Sequence, residues 1–380
     1  MRRSPLTLVA LGTMLLAGAC TDNDTSGGDG AVKVSSSDNS CTLSGTQAEA
    51  GNVVFQVTND GSEVTEFYLL AQDGLRVFGE VENIGPGITR NMVVQVGAGS
   101  YLANCKPGMS GEGIRVPFAV TGDAELATGD AAELLATGVE QYTLYVDSQI
   151  DGLLEQTTQF AALYSAGNDA EARALYPEAR TYWERIEPVA ESFGDLDPRL
   201  DLREADLEAG QAWTGWHAIE KDLWPPATGY TGFTDDERAA LAKQLVADTE
   251  ELHERAEGLE LNATQLGNGA KELLDEVATG KVTGEEEIWS HTDLWDFQAN
   301  VDGARVAFES LEPALRTKDT ALADLLEARF GSLQTRLDQY RDGDGFVLYT
   351  ELTDAQVKEL ADAVNALSEP LAGLTAAVVL

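Results

Sequence analysis

The chain has 380 residues, enough for two domains, and carries a formal net charge of −40 from 65 acidic and 25 basic side chains. Such a charge repels phosphate backbones and anionic lipid surfaces while gathering cations, which excludes nucleic-acid binding. Acidity also serves solubility or a salty medium, so charge alone marks no site.

Met1-Arg2-Arg3 ahead of an apolar run from Leu8 to Ala19 reads as a signal peptide over residues 1–19, with a hydrophobic core too short for a stable membrane span. Two cleavage readings stand. Ala17-Gly18-Ala19 suits an ordinary signal peptidase. Leu16-Ala17-Gly18-Ala19-Cys20 nearly matches a lipobox, with Ala17 rather than Leu three residues before the cysteine, and predicts a lipid on Cys20 that tethers the protein to the membrane. The stretch from Thr21 to Ser40 is dominated by Asp, Asn, Ser, Thr and Gly and buries too little apolar surface to order itself, so residues 20–31 are expected to form a flexible tether. No later apolar run approaches membrane-spanning length.

Residues 32–121 alternate short apolar runs with turn signals. Val53-Val54-Phe55-Gln56-Val57 precedes Asn59-Asp60-Gly61, then come Glu66-Phe67-Tyr68-Leu69-Leu70, Met92-Val93-Val94-Gln95-Val96 and Ile114-Arg115-Val116-Pro117-Phe118-Ala119-Val120. This predicts an all-β sandwich. Cys41 sits near the first strand, and Cys105 follows Ser100-Tyr101-Leu102-Ala103-Asn104. Export to an oxidising compartment favours a disulfide between them. The alternative is a soft-ligand site in which the two thiolates, with Met109 and Glu66, hold copper or another transition ion.

After Gly122 the pattern changes to amphipathic segments, and residues 131–380 are expected to form an all-α bundle. Helix starts with capping-box spacing are read at Asn168-Asp169-Ala170-Glu171, Thr234-Asp235-Asp236-Glu237, Thr283-Gly284-Glu285-Glu286 and Thr353-Asp354-Ala355-Gln356. Trp213 to Trp224 is expected to form one helix, stopped by Pro225-Pro226. In it His217 and Glu220 stand three residues apart, so their Cβ atoms lie about 5–6 Å apart on one face and can share an ion. Imidazole with carboxylate suits iron, zinc or copper, and inward-facing Glu and His hold di-iron centres in other bundles. The spacing also arises by chance, in which case His217 is a core histidine fixed by a hydrogen bond.

Longer runs carry a family resemblance. Cys41, Glu66, the stretch Glu80-Val81-Glu82-Asn83-Ile84-Gly85-Pro86-Gly87, and Tyr101 through Cys105 resemble the cupredoxin-like domain of the EfeO family of iron-uptake proteins. The resemblance implies metal ligands at Cys41, Glu66 and Cys105, with Glu80 and Glu82 as additional carboxylates. This segment contains no histidine, so a blue-copper site of two His and one Cys cannot be built from it. Tyr182 to Pro188, Phe193 to Pro198, Trp213 to Trp224, Ile288 to Phe297 and Ala366 to Leu371 resemble the imelysin-like domain of the same family. That implies the family's metal-binding motif at His217 and Glu220. The two segments follow in the family's domain order and cover nearly the whole chain beyond the signal.

Further ligands are weighed on position. His291 and Asp293 begin an expected helix between Trp289 and Trp295, where a dry rim strengthens ligation. Their alternative is that Asp293 caps the helix and His291 packs. Glu155 and Asp236 have position alone to recommend them. His253 lies on a charged helical face and reads as solvated surface. Asp342-Gly343-Asp344-Gly345 lacks the later ligands of an EF-hand and reads as a polar turn.

The expected function is an extracytoplasmic metal-binding component that captures ferrous or ferric iron and delivers it to a permease. Copper in the sandwich would assist ferrous oxidation. The resemblance implies an iron permease in the cytoplasmic membrane and a secreted haem peroxidase as partners. The rival is a zinc-dependent, metallopeptidase-like hydrolase, for which neither His-Glu-x-x-His nor Gly-x-Ser-x-Gly is present. A third class, an adhesion or polysaccharide-binding module, uses the same scaffold neutrally.

Overall fold

The computed structural model describes residues 30–123, 129–207 and 210–380. The expected signal peptide, its cleavage site and Cys20 lie outside the described residues. Nine strands come first: β1 Val32–Ser37, β2 Ser40–Leu43, β3 Gln47–Glu49, β4 Gly51–Asn59, β5 Thr65–Ala71, β6 Val77–Ile84, β7 Thr89–Val96, β8 Gly99–Pro107 and β9 Ile114–Thr121. They form two sheets, ordered β2-β1-β4-β7 and β3-β9-β8-β5-β6. Alternation explains the strands: Val53, Phe55 and Val57 of β4 are buried while the residues between them are not. Phe55 meets Phe67 and Phe118 between the sheets, each at 5.2 Å between ring centroids. The polar stretch before Ser40 is not all tether. Val32 and Val34 are buried, and β1 pairs in parallel with β4, burial enough to order a segment otherwise rich in serine.

Ten α-helices follow among the described residues: α1 Asp130–Ser165, α2 Asp169–Glu184, α3 Leu196–Asp201, α4 Trp216–Leu223, α5 Asp235–Ala256, α6 Ala263–Thr279, α7 Asp293–Lys318, α8 Thr320–Leu337, α9 Asp354–Leu371 and α10 Leu374–Val379. A β-sandwich followed by a helical domain is thus the architecture. The capping boxes at Thr234 and Thr353 form, each with reciprocal side-chain and backbone bonds. Asn168 does precede α2, but its side chain caps nothing. Thr283-Gly284-Glu285-Glu286 starts no helix: Gly284 turns left-handed at φ 78°, and Glu285 and Glu286 are drawn to Arg203. The Asp342 to Gly345 segment closes a two-stranded hairpin that packs Phe346 against Trp295.

The domains meet along one edge of the sandwich. The β7 backbone at Gln95 donates to Thr264 Oγ1 at 2.9 Å, and Asn268 donates to the Val93 carbonyl at 2.9 Å. The start of α6 thereby covers the open edge of the first sheet, leaving fewer unpaired backbone groups there. The same docking sets β6 of the second sheet against α6. On its other side α6 lies close to the 3₁₀ segment Glu187–Phe193, and a Cβ on Gly269 would fall 1.7 Å from the Pro188 carbonyl oxygen. Only glycine fits that approach.

Candidate metal centre

The helix that carries His217 is shorter than its sequence pattern. Trp213 to Gly215 stay outside it because Gly215 adopts φ 85°, where a Cβ would meet the Leu200 carbonyl oxygen at 2.1 Å. Trp213 Nε1 donates to the Leu202 carbonyl at 2.7 Å and Thr214 Oγ1 to that of Arg199 at 3.0 Å. These bonds seat the start of α4 on the end of α3. The other end stops at Trp224, before Pro225-Pro226.

This seating places Asp201 of α3 against the imidazole of His217. His217 is 2% exposed, and each ring nitrogen faces its own set of carboxylates. Nδ1 lies 3.4 Å from Glu220 Oε2 and 4.0 Å from Glu287 Oε1. Nε2 lies 3.4 Å from Asp201 Oδ1 and 3.5 Å from Glu286 Oε1, and has no hydrogen-bond partner. Among the described residues, three ligand atoms converge within 4.8 Å of one another only in these two sets.

Glu286 and Glu287 reach the ring from a turn before α7, which two carboxylates pin. Glu220 Oε1 accepts the backbone N–H groups of Trp289, at 2.9 Å, and Ser290, at 2.7 Å. Asp293 Oδ1 accepts that of Glu287 at 3.1 Å. Asp293 therefore positions the turn beside the centre, and its Oδ2 remains without a partner. His291 stands at φ 60° with its carbonyl bonded to Tyr349 N and does not join either ligand set.

Two buried cations organise the outer carboxylates. The Arg180 guanidinium, fully buried, pairs with Glu184 and Asp201, meets Glu287 at 2.6 Å, and lies 3.4 Å from Asp296 and 3.5 Å from Glu286. Lys281 meets Glu187 at 2.7 Å, Glu184 at 3.0 Å and Glu286 at 3.8 Å. Burial and Arg180 push the His217 imidazole down, but Asp201, Glu220 and Glu286 outweigh them and hold it at about 10. Burial also raises Glu286, yet Lys281 and His217 hold it well below the usual carboxylate range. Burial and the neighbouring Glu220 push Glu287 well above that range, and burial does the same to Asp296. Protons on the imidazole, Glu287 and Asp296 thus offset charge that a bound cation would neutralise instead.

Other expected ligands fall elsewhere. Cys41 and Cys105 form a disulfide linking β2 to β8, so neither offers a thiolate. Alternation separates them from the acidic side chains: Cys105 pairs with Phe67 on the core face, whereas Glu66 and Tyr68 take the opposite face of β5. Tyr68 donates to Glu66 at 2.8 Å and Glu82 at 3.3 Å, and Tyr68 pairs across the strands with Glu80. Glu66, Glu80 and Glu82 are therefore brought together, but toward the helical domain and away from the sulfurs. Met109 lies in an exposed turn at φ 54°, apart from both groups. Glu155 on α1 and Asp236 in the first turn of α5 are exposed and join neither ligand set, because each occupies the solvent face of its helix. His253 pairs with Asp151 at the surface, as its charged surroundings suggest.

Sequence reading missed Asp201, Glu286 and Glu287. The one signal was the unbroken Glu285-Glu286-Glu287 run beside the Trp289 to Trp295 segment, where a solvated cap was the simpler account.

A sandwich joined to a helical domain, with one histidine set between opposed carboxylates in the helical core, defines a two-domain protein whose donor set suits a cation. The Imelysin family model matches residues 138–374. An Efem/EfeO family lipoprotein of Staphylococcus haemolyticus is 41% identical over 251 residues, covering 65% of this chain and 86% of the relative. One from Staphylococcus aureus strain NCTC 8325 is 42% identical over 241 residues, covering 62% and 83%. The chain belongs to the imelysin family, in its Efem/EfeO group.

Proposed function

We propose that the protein is an exported, lipid-anchored component of an iron-uptake system that binds ferrous or ferric iron at His217 and passes it to a permease in the cytoplasmic membrane. The observation that carries this is the buried His217 imidazole set between two groups of carboxylates, with Nε2 3.4 Å from Asp201 and 3.5 Å from Glu286 and no aligned hydrogen bond to either. An imidazole with two or three carboxylates fits iron, which accepts both nitrogen and hard oxygen donors. Glu220 on the Nδ1 side fixes the ring, as a metal-bound histidine requires of its second nitrogen.

The lipoprotein naming of the relatives supports attachment through Cys20. No helix of the described residues is long and apolar enough to cross a membrane, so a permease is a separate partner in this reading. A secreted haem peroxidase of the same system is the second proposed partner. With Cys41 and Cys105 bonded to each other, the sandwich lacks the two thiolates on which a copper role chiefly rested.

The hydrolase alternative has weaker support. A catalytic zinc commonly takes three protein ligands, two or three of them histidines, and keeps one open position for water. Here both ligand sets share one histidine, His217, and the remaining donors are carboxylates.

The test is metal content after dialysis of iron-loaded protein, compared between wild type and the His217→Ala, Glu220→Ala double variant. Loss of about one bound iron supports the reading. Unchanged stoichiometry removes it.

A further inference from the structure

Where β6 faces α3 and α6, the two domains border an open-mouthed cavity of about 250 Å³. Ten of the residues lining it are acidic and one, Arg203, is basic. Glu80 and Glu82 come from the sandwich, and Glu191 and Glu272 from the helical domain. The Glu80 and Glu191 carboxyls lie within hydrogen-bonding reach of each other across the junction, and the buried Glu80 Oε2 has no hydrogen-bond partner.

A second observation is independent of that acidity. The unpartnered His217 Nε2 faces Asp201 and Glu286, and both of these also line the cavity. Asp201 and Glu286 thus stand between the cavity and the His217 ring. The outer end of the cavity reaches solvent at Pro198 and Asp206, which are exposed. Exposure falls along the path, from Asp206 through the partly buried Glu80, Glu82 and Glu191 to Glu286 and His217.

Size and spacing say what this space would hold. At about 30 Å³ per water, it has room for a cation with its first shell of waters. Its carboxylates do not converge within 4.8 Å in threes except at the His217 end. A cation here therefore keeps its water and is held through it, whereas at His217 it is ligated directly.

We infer that the interdomain cavity is the loading vestibule of the His217 centre. A hydrated di- or trivalent metal cation enters between the domains, is held by Glu80, Glu82, Glu191 and Glu272, and passes Asp201 and Glu286 to reach the imidazole. This rests on the reading of His217 as a metal ligand. It assigns the sandwich a role that needs no metal of its own, because β6 supplies one wall of the charged entrance.

The experiment follows Cu²⁺ loading of the full chain by stopped-flow tryptophan fluorescence, since Trp183 Nε1 donates to Asp201 at 2.9 Å and reports on the centre. Glu80→Gln with Glu82→Gln keeps side-chain shape and matches the proton-bearing, neutral carboxyls of the metal-free protein, so the fold is retained, as an unlowered Tm checks. Loading is expected to slow at least about ten-fold, because a glutamine has no proton for the arriving cation to displace and cannot become a carboxylate that holds it. Equilibrium stoichiometry stays as in wild type, because the side chains around His217 are untouched. Glu82→Gln alone, which leaves the Glu80–Glu191 contact in place, slows loading to a lesser degree. An unchanged loading rate in the double variant overturns the vestibule. Loss of bound metal at equilibrium also overturns it, by making these carboxylates ligands of the centre. Wild-type Cu²⁺ binding by His217→Ala is a separate result, which sinks the centre itself and the vestibule with it.

Discussion

His217 Nε2 stands 3.4 Å from Asp201 Oδ1, although the two residues belong to different short helices. The contact depends on Gly215, whose left-handed backbone lets α4 begin against the end of α3. Asp201→Asn preserves the acceptor for Trp183 Nε1 but removes the charge on this side of the ring. Iron affinity is expected to fall about 10- to 100-fold, within the range for losing a supporting or ligating group. Glu204→Gln, changing an exposed partner of Lys221, serves as a control with unchanged affinity. Anaerobic equilibrium dialysis with Fe²⁺ measures both, and equal dissociation constants for Asp201→Asn and wild type rule Asp201 out as a ligand.

Arg180 is one of two buried counter-charges in the cluster, with Lys281, and meets five of its carboxylates. Its removal by Arg180→Leu leaves Glu184, Asp201, Glu287 and Asp296 without their shared cation. Breaking a buried ion pair from one side costs about 3–5 kcal/mol, because the remaining charge stays desolvated. Urea unfolding of metal-free protein should show that loss. A bound metal cation supplies part of the missing charge, so metal is expected to stabilise Arg180→Leu by more than it stabilises wild type. Equal metal-induced shifts in the two proteins would contradict this electrostatic account.

Acid side chains at the domain junction set a pH dependence with a definite sign. Burial, then Glu66, pushes Glu82 up to about 9 from an ordinary 4.5, and burial, then Asp197, pushes Glu191 to about 8. Burial similarly lifts Glu272 and Asp197 to about 7. Each group keeps its proton in the folded chain at pH values where the unfolded chain has released it. Their contribution to stability is complete below about pH 4.5 and is lost as pH rises through 7 to 9. His217, held at about 10, acts in the same direction. Glu184, Glu220 and Glu286, held below their ordinary values, act oppositely but only at pH below about 4.5. The Tm of metal-free protein is therefore expected to fall steadily from pH 5 to pH 9. A flat or rising Tm over that window would show that these carboxyls are ionised in the folded protein.

Local patterns made most of the fold legible, and tertiary contacts hid most of the site. Alternation in Val53 to Val57 and the capping boxes at Thr234 and Thr353 are short-range signals, complete within a few residues, and they match the strands and helices found. Thr283 to Glu286 carries the same local spacing but starts no helix, because ion pairs to Arg203 and Lys281 and a left-handed Gly284 prevail. The pairing of His217 with Glu220 was readable because one helix fixes it. Asp201, Glu286 and Glu287 reach the ring from a separate helix and a turn, and their approach depends on Gly215 and on three carboxylate-held backbone amides, at Trp289, Ser290 and Glu287. No spacing along the chain encodes such an arrangement.

The disulfide separates structural from metal-binding roles in the sandwich. Cys105 is buried on the core face of β8, and the bond to Cys41 closes a loop with a sequence separation of 64. Opening a native disulfide of this kind costs about 2–5 kcal/mol, chiefly by freeing the unfolded chain. Glu66, Glu80 and Glu82 lie on the other face of the same sheet, so their positions depend on strand register and on Tyr68 rather than on the sulfurs. Replacing both cysteines by serine is therefore expected to lower the Tm while leaving bound iron per chain unchanged. Iron content measured after dialysis at a temperature well below the variant's Tm decides the matter. Loss of metal from a variant that remains folded would mean that the sulfurs, and the sheet face they occupy, take part in binding after all.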